Sequence, residues 1–219
     1  MFIMAGEIVS EAVLTEQISY YRSRASEYDA TAYGDVNAAR ERIARIVADM
    51  HCTGHVLEIA CGTGLWTEAI ARHAEQVVAV DAAPETIAIA RDRVGGNVRF
   101  EVADVFAWAT TETFDAIFFS AWLSHVPPGR FDEFWGTLRG LLAPGGRVLF
   151  LDEHVDEQPK EHYVADGVVE RTLADGRTFR IVKHFIDPDR LRDRLRALGW
   201  DAELHRDGPD WLHGVVRPQ

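Results

Sequence analysis

The sequence predicts an α/β fold, a mostly parallel sheet with helices on both faces, and three observations carry that prediction. Short, β-rich apolar runs alternate with helical segments between about residues 55 and 153; near-continuous apolar strands are those buried on both faces of a parallel sheet. The first of these runs breaks into a glycine turn, "VLEIACGTGLW" (56–66), at the carboxyl edge of a strand, where open α/β sheets hold their ligands. The last two runs, "WDAELHRDG" and "DWLHGVVR", are separated by only a short turn. So short a connection cannot cross over, so these two strands are antiparallel and the last one runs against the rest.

The elements follow in order. Residues 11–33 are polar, helical in pattern and rich in tyrosine: Tyr20, Tyr21, Tyr28 and Tyr33. "VNAARERIARIVADM" places Ile43, Ile46, Val47 and Met50 at i, i+3, i+4 and i+7, one face of an amphipathic helix. "HVLEIA" (55–60) is a strand, followed by a helix over 65–73. "QVVAVD" (76–81) is the second strand, and Pro84 opens the next helix from its first position, where a missing N–H costs nothing. "VRFEVAD" (98–104) and "FDAIFFSAW" (114–122) are strands three and four. Phe131, Phe134, Trp135, Leu138 and Leu142 then share a helix face, "APGG" (143–146) turns, and "RVLFLDE" (147–153) is strand five. Residues 168–186 carry an Asp175-Gly176 turn between two β-rich runs, which reads as a hairpin insertion. In the next helix Asp187 caps, Pro188 sits in the first turn and Gly199 stops it.

The bulk composition limits the functions. A chain of 219 residues, 47% hydrophobic and 26% charged, suits one domain with a sizeable core. We read 1–219 as a single domain, with 1–35 as an N-terminal lid helix and 155–186 as an insertion. The net charge of −12 argues against a nucleic acid or an anionic membrane as partner. Cys52 and Cys61 lack metal-type spacing and read as free thiols in a reducing, cytoplasmic setting. The first residues, with Glu7 and Glu11 and no basic start, read as neither leader nor membrane span. A monomer or homodimer is expected.

The glycine turn has Gly62 and Gly64 but Thr67 where a dinucleotide fingerprint has its third glycine. A nicotinamide reductase is further disfavoured because no Tyr-x-x-x-Lys pair is present; Tyr163 is followed by Gly167. Asp81, ending strand two, suits a ribose diol. Glu58 inside strand one is the unusual element, since a buried carboxylate needs hydrogen bonds or a cation.

These residues resemble the class I S-adenosylmethionine-dependent methyltransferases, from about Tyr20 to the C-terminus. Glu58-x-Ala60-x-Gly62-x-Gly64 is similar to that family's first motif, with Ala60 where many members have glycine. That departure asks only for an ordinary backbone conformation at residue 60. Asp81, Asp104 in "EVADV", "FDAIFFSAWLSHVP" and "LLAPGGRVLF" resemble the later motifs in order. The resemblance implies a Rossmann-like, seven-stranded sheet and S-adenosylmethionine as cofactor. It implies that Glu58 orders the glycine loop (Ala60, Cys61, Gly62, Gly64, Trp66), that Asp81 takes the ribose hydroxyls, and that Asp104 meets the adenine amino group. Ala82 and Val105 would sandwich the adenine, and Ser120 would line the methionine portion. "YYRSRASEYD" is similar to the lid helix of small-molecule methyltransferases, so Tyr20, Arg24 and Tyr28 would close over the cofactor.

For the acceptor, Tyr21, Trp122, His125 and His184 are candidate contacts. His125 and His154 are candidate bases, histidine being suited to proton removal near neutral pH. Asp152, Glu153 and His154 alternate faces of a strand, so no metal site is expected. The expected function is methyl transfer to a small molecule, with O-methylation favoured. Methylation of nitrogen or carbon, or cofactor binding without catalysis, are the alternatives. A protein or nucleic-acid substrate is disfavoured by charge and by Ser120-Ala121-Trp122-Leu123 in place of an Asn/Asp-Pro-Pro-Tyr-type motif.

Overall fold

The computed structural model describes residues 9–185, 187–208 and 210–219. The expectations for residues 1–8 and for position 186, the end of the predicted hairpin, lie outside the described residues.

Five strands alternate with helices: β1 (Gly54–Ile59), β2 (Ala74–Asp81), β3 (Val98–Val102), β4 (Phe114–Ser120) and β5 (Leu142–Glu153). An insertion of three short strands follows, β6 (Tyr163–Ala165), β7 (Val168–Thr172) and β8 (Thr178–Val182), and then β9 (Trp200–Asp207) and β10 (Trp211–Pro218). The main sheet runs β3-β2-β1-β4-β5-β10-β9. β1 is parallel to both β2 and β4, and β10 is antiparallel to both β5 and β9. The order reverses between β1 and β4, so a crevice opens above their carboxyl ends.

The helices are α1 (Glu11–Arg24), α2 (Tyr28–Tyr33), α3 (Val36–Met50), α4 (Leu65–Ile70), α5 (Pro84–Arg93), α6 (Phe131–Leu141) and α7 (Pro188–Ala197). Alternation along β1 sends Leu57 and Ile59 to one face, with Phe134, Trp135 and Leu138 of α6 and Leu191 and Leu195 of α7. Val56 faces the other side, with Ile43 and Val47 of α3 and Leu65 and Ile70 of α4. Helix starts follow local chemistry. Asp35 accepts from the N–H groups of Asn37 and Ala38, and Asp187 from those of Asp189 and Arg190.

Several boundaries differ from the sequence reading: β3 ends at Val102 and β4 at Ser120, each two residues early, residues 11–33 are two helices joined through Ala25–Glu27, and three more differences follow. The helix predicted over 65–73 closes at Ile70, and 71–73 form a turn. β5 starts at Leu142, with a register shift against β4 absorbing the predicted turn at 143–146. The insertion is a three-stranded antiparallel sheet rather than a hairpin, since β6 adds to β7; β6 has only three residues, too few for an alternation to be visible. This small sheet packs on α1: Tyr20 lies among Val169, Leu173 and Ile181, and Val13 among Val168 and Val182.

Candidate active site

A cleft of about 990 Å³, counting the open space at its mouth, sits above the carboxyl ends of β1, β2 and β4 under α1 and α2. Its floor is made of small residues, among them Ala60, Gly62, Ala82 and Ala121. Gly62 has φ +55°, and a Cβ built there would meet nothing within 4 Å, so its backbone is open to the cleft. Gly64 serves another purpose. At φ +84°, a Cβ would lie 2.8 Å from Ala90 Cβ, so glycine here lets the loop press against α5.

Ala60 corrects the sequence reading. Its φ is +55° and that of Ala121 is +50°, both in the left-handed region disfavoured for residues with a Cβ. The substitution of alanine at a motif glycine is therefore not conformationally free; both strand ends turn the chain sharply where they meet the cleft.

Asp81 organises the loop. Its Oδ2 accepts from Gly62 N (2.8 Å), and its Oδ1 from Ala83 N (2.8 Å) and Thr86 Oγ1 (3.3 Å). Burial raises its carboxyl, and these three hydrogen bonds pull it back. Asp104 lines the cleft and also accepts from Phe106 N (3.0 Å), so one carboxylate both fixes the turn after β3 and faces the ligand space. Val105, Ser120 and Trp122 line the same wall.

Glu58 stands below the loop rather than in the cleft, 2% exposed between β2 and β4. Burial pushes its carboxyl up to about 8; the Thr67 hydroxyl lowers it and the charge of Asp81 raises it further. Neither Glu58 Oε2 nor Thr67 Oγ1 completes a hydrogen bond among the described residues. A buried carboxyl with one oxygen unpartnered, held protonated by its burial, fits a cofactor whose nearby positive charge would favour the ionised form.

On the lid, Tyr21 and Tyr28 face the cleft. The Arg24 guanidinium lies 4.7 Å from the centre of the Tyr28 ring and also bonds Thr31 Oγ1. Burial raises the Tyr28 hydroxyl to about 12. Tyr20 does not line the cleft: its ring stacks edge-on to Tyr21 and turns into the insertion sheet beside Phe179. Cys61 and Trp66 also lie off it. Cys61 is buried with its thiol pushed well up, and Trp66 packs on Phe118 from the α4 face.

The three histidines separate. His125 lines the cleft, and its Nε2 lies 2.9 Å from Tyr21 Oη and its Nδ1 2.6 Å from the carbonyl oxygen of Val182. His154 lies apart: Nδ1 accepts from Asp156 N (3.2 Å) and caps the turn 155–160. His184 stands behind the cleft against Gly167, in a small cavity it shares with Ser124, Asp152 and Glu153, and burial lowers its imidazole. Among the described residues no group of three or more His, Cys, Asp or Glu could hold a metal ion.

Several contributors were missed, Phe106, Thr86 and Arg130 of the cleft lining among them, and two more are buried polar groups. Gln17 is buried and lines the cleft while its Oε1 accepts from Val182 N (2.9 Å); only its helical spacing of four from Tyr21 hinted at it. Lys183 is 3% exposed. Its Nζ pairs with Glu153 (2.5 Å) and donates to Ser124 Oγ (3.2 Å), while Ser124 N donates to Asp152 (3.1 Å). This network bolts the loop after β4 to β5 and β8, and no local pattern announces it.

The glycine loop bound to an acid at the end of β2, the second acid after β3, and the orphaned carboxylate beneath them define a cofactor site of the class I methyltransferases, and the chain belongs to that S-adenosylmethionine-dependent family. The family described as "Methyltransferase domain" matches residues 56–146. The chain is 40% identical to DhpI in a structure titled "DhpI-SAH complex structure" (TM-score 0.85, covering 96% of this chain and 98% of that one). The "DhpI-SAM-HEP complex" gives a TM-score of 0.86 at the same identity, covering 96% and 100%. It is also 32% identical over 156 residues to a ubiquinone biosynthesis O-methyltransferase of Xanthomonas axonopodis pv. citri. That match spans 68% of this chain and 63% of the relative, less than two thirds of the relative's length. Among the described residues no helix is long and apolar enough to cross a membrane.

Proposed function

We propose that this methyltransferase methylates a hydroxyl oxygen of a small molecule bound in the cleft between the lid and the loop after β4. The observation that carries this reading is the Tyr21–His125 pair, 2.9 Å apart and set in the cleft wall. The pair stands beside the aromatic side chains Tyr28, Phe106 and Trp122, in a cleft whose other polar lining includes Gln17, Asp81, Asp104 and Arg130. The name of the ubiquinone relative, an O-methyltransferase, supports oxygen as the atom.

When bound, the cofactor supplies an activated methyl group on a sulfonium sulfur, which keeps the electron pair of the breaking C–S bond. The acceptor oxygen gains the methyl carbon, and its proton is released to water. The residues of the chain align the reactants, a task that can supply roughly 7–11 kcal/mol. In this reading Asp81 holds the ribose hydroxyls, Asp104 the adenine amino group between Ala82 and Val105, and Ser120 the methionine portion. Tyr28 closes the α2 side of the cleft, and Arg24, whose guanidinium lies on the Tyr28 ring outside the cleft lining, remains the candidate for the carboxylate of the cofactor. Glu58 acts from beneath on the cationic end.

Two measurements test this. Calorimetric titration with S-adenosylmethionine and S-adenosylhomocysteine, on wild type and Asp81→Ala, should show binding that the variant weakens strongly; equal affinity removes the assignment of Asp81. Incubation with a panel of phenols, hydroxy acids, amines and carbon acids, read by mass spectrometry, should give methyl ethers or esters. N- or C-methylated products alone would overturn the oxygen assignment.

A further inference from the structure

The hydrogen bonds around His125 determine which atom can face the acceptor. The Val182 carbonyl can only accept, so His125 Nδ1, 2.6 Å away, carries the hydrogen. The ring is buried at the cleft wall and uncharged, because burial holds its imidazole well below the ordinary range and Lys183 of the insertion adds to this, against the opposing pull of the Val182 carbonyl. Arg171 on β7 and Arg24 on α1 act in the same direction. An uncharged ring with hydrogen on Nδ1 has a bare Nε2, which can only accept. Its partner is Tyr21 Oη at 2.9 Å, so the tyrosine donates and its proton is committed inward. Burial keeps the Tyr21 hydroxyl protonated.

The consequence lies in the cleft. Both residues line it, yet Nε2 of His125 is already occupied, and the Tyr21 oxygen has spent its only hydrogen. What remains is an acceptor lone pair on Tyr21 Oη. Val182 is in turn held from the other side, its N–H donating to Gln17 Oε1 (2.9 Å), so α1, β8 and the loop after β4 fix the chain of hydrogen bonds together.

We propose that Tyr21 receives the hydrogen-bond donor of the methyl acceptor, and that His125 is a positioning residue that holds the Tyr21 oxygen as an acceptor. The substrate class follows: the reacting group enters with its hydrogen in place, which under the oxygen reading is the O–H of a phenol, an alcohol or a protonated acid. His125 needs no proton transfer in this arrangement. The inference rests on the reading of this cleft as the acceptor site.

The test uses the full chain saturated with S-adenosylhomocysteine, the affinity for which also reports that each variant is folded. With ¹⁵N-labelled histidine, nuclear magnetic resonance should show His125 with a protonated Nδ1 and bare Nε2 throughout pH 5–8, and the Nε2 signal should move in Tyr21→Phe. A hydrogen on Nε2, a titration near the ordinary histidine value, or an unmoved signal in Y21F overturns the wiring. Phenol and its methyl ether, anisole, then probe the contact. In wild type phenol should bind about tenfold more tightly than anisole, the scale of one hydrogen bond. The preference should vanish in Y21F and in His125→Ala. It should survive in His125→Gln, whose amide oxygen can take the Tyr21 hydrogen but not a proton. No preference in wild type, or its loss in H125Q, overturns the proposal. The two readings separate in the same titration: phenol that shifts the His125 signals yet binds no more tightly than anisole overturns the Tyr21 contact alone, whereas phenol that binds without shifting them shows that the acceptor site lies elsewhere.

Discussion

The main sheet and the lid–insertion layer are held by different forces. In the sheet, Phe119 stacks on Phe150 and meets Phe134 and Trp135, all essentially without exposure. In the upper layer, apolar contact is confined to small clusters around Tyr20 and Val13. Much of the rest is polar: Glu16 on Arg180, Gln17 on Val182, Arg22 on Glu85, and Asp29 on Arg93 and Thr63. Burial of large side chains gives a body that opens only as a whole, whereas a layer of hydrogen bonds and ion pairs can open locally. That division suits an enzyme that must admit and release a cofactor without disturbing the strands that bind it.

The largest expected effects test whether the two layers are separate cooperative units. Gly64→Ala forces a Cβ against Ala90 and strains a left-handed residue, so it should lower global stability by roughly 2–5 kcal/mol, visible as a lower melting temperature. Tyr20→Ala removes a side chain only 4% exposed but one lodged in the upper layer. It should speed hydrogen exchange in 11–24 and 168–182 while the strands of the main sheet keep their protection. If both variants melt the chain as one, the division into layers is wrong.

The Glu58 carboxyl offers a body-specific probe. Its value of about 8 lies above the ordinary 4.5, so between these limits the folded state holds the proton that the unfolded state has lost. Stability of the cofactor-free chain should therefore be full below about pH 4.5 and fall, on the order of 1 kcal/mol per pH unit, as pH rises toward 8. Glu58→Gln should flatten this dependence and weaken cofactor binding. A pH profile that E58Q leaves unchanged would place the titration elsewhere.

The next effect lies on the join between the layers. Asp29 of α2 accepts from Arg93 Nη2 (2.6 Å) and from Thr63 Oγ1 (2.5 Å), while Arg93 Nη1 donates to Thr63 O (2.8 Å). Thr63 lies between the two loop glycines, so the lid is tied to the cofactor loop itself. Asp29→Asn should speed S-adenosylhomocysteine release by about tenfold or more in stopped-flow, the scale of a charged hydrogen bond, with the melting temperature nearly unchanged. An unchanged release rate with an intact fold would show that the lid is held by packing alone.

These layers were also unequally legible. Parallel strands buried on both faces write themselves as apolar runs, and Pro84 and Asp187 mark helix starts by chemistry confined to a few residues. Gly62, Asp81 and Asp104 stand together because each ends or follows a strand, and their spacing is set by the fold. The upper layer depends on partners far apart in sequence. Nothing near Lys183 announces Glu153, and Val182 presents only its backbone to His125 and Gln17. The left-handed turn at Ala60 was hidden because alanine there carries none of the signal that glycine gives. His154 was misleading for the converse reason, since its place after β5 suits a site while its ring is spent capping the turn that follows.

The smallest effect marks the limit of the comparison. Arg22 reaches Glu85 with two nitrogens, at 2.8 Å in the shortest contact, and so also ties the lid to α5. Both side chains are about half exposed, so water and salt screen the pair. Arg22→Ala should speed cofactor release less than about fivefold at low salt, and the difference should disappear at high ionic strength. The partly buried Asp29–Arg93 pair should keep most of its effect under the same salt. If Arg22→Ala instead matches Asp29→Asn, the lid is held by its summed surface charge, and the Thr63 contact has no special part in coupling it to the glycine loop.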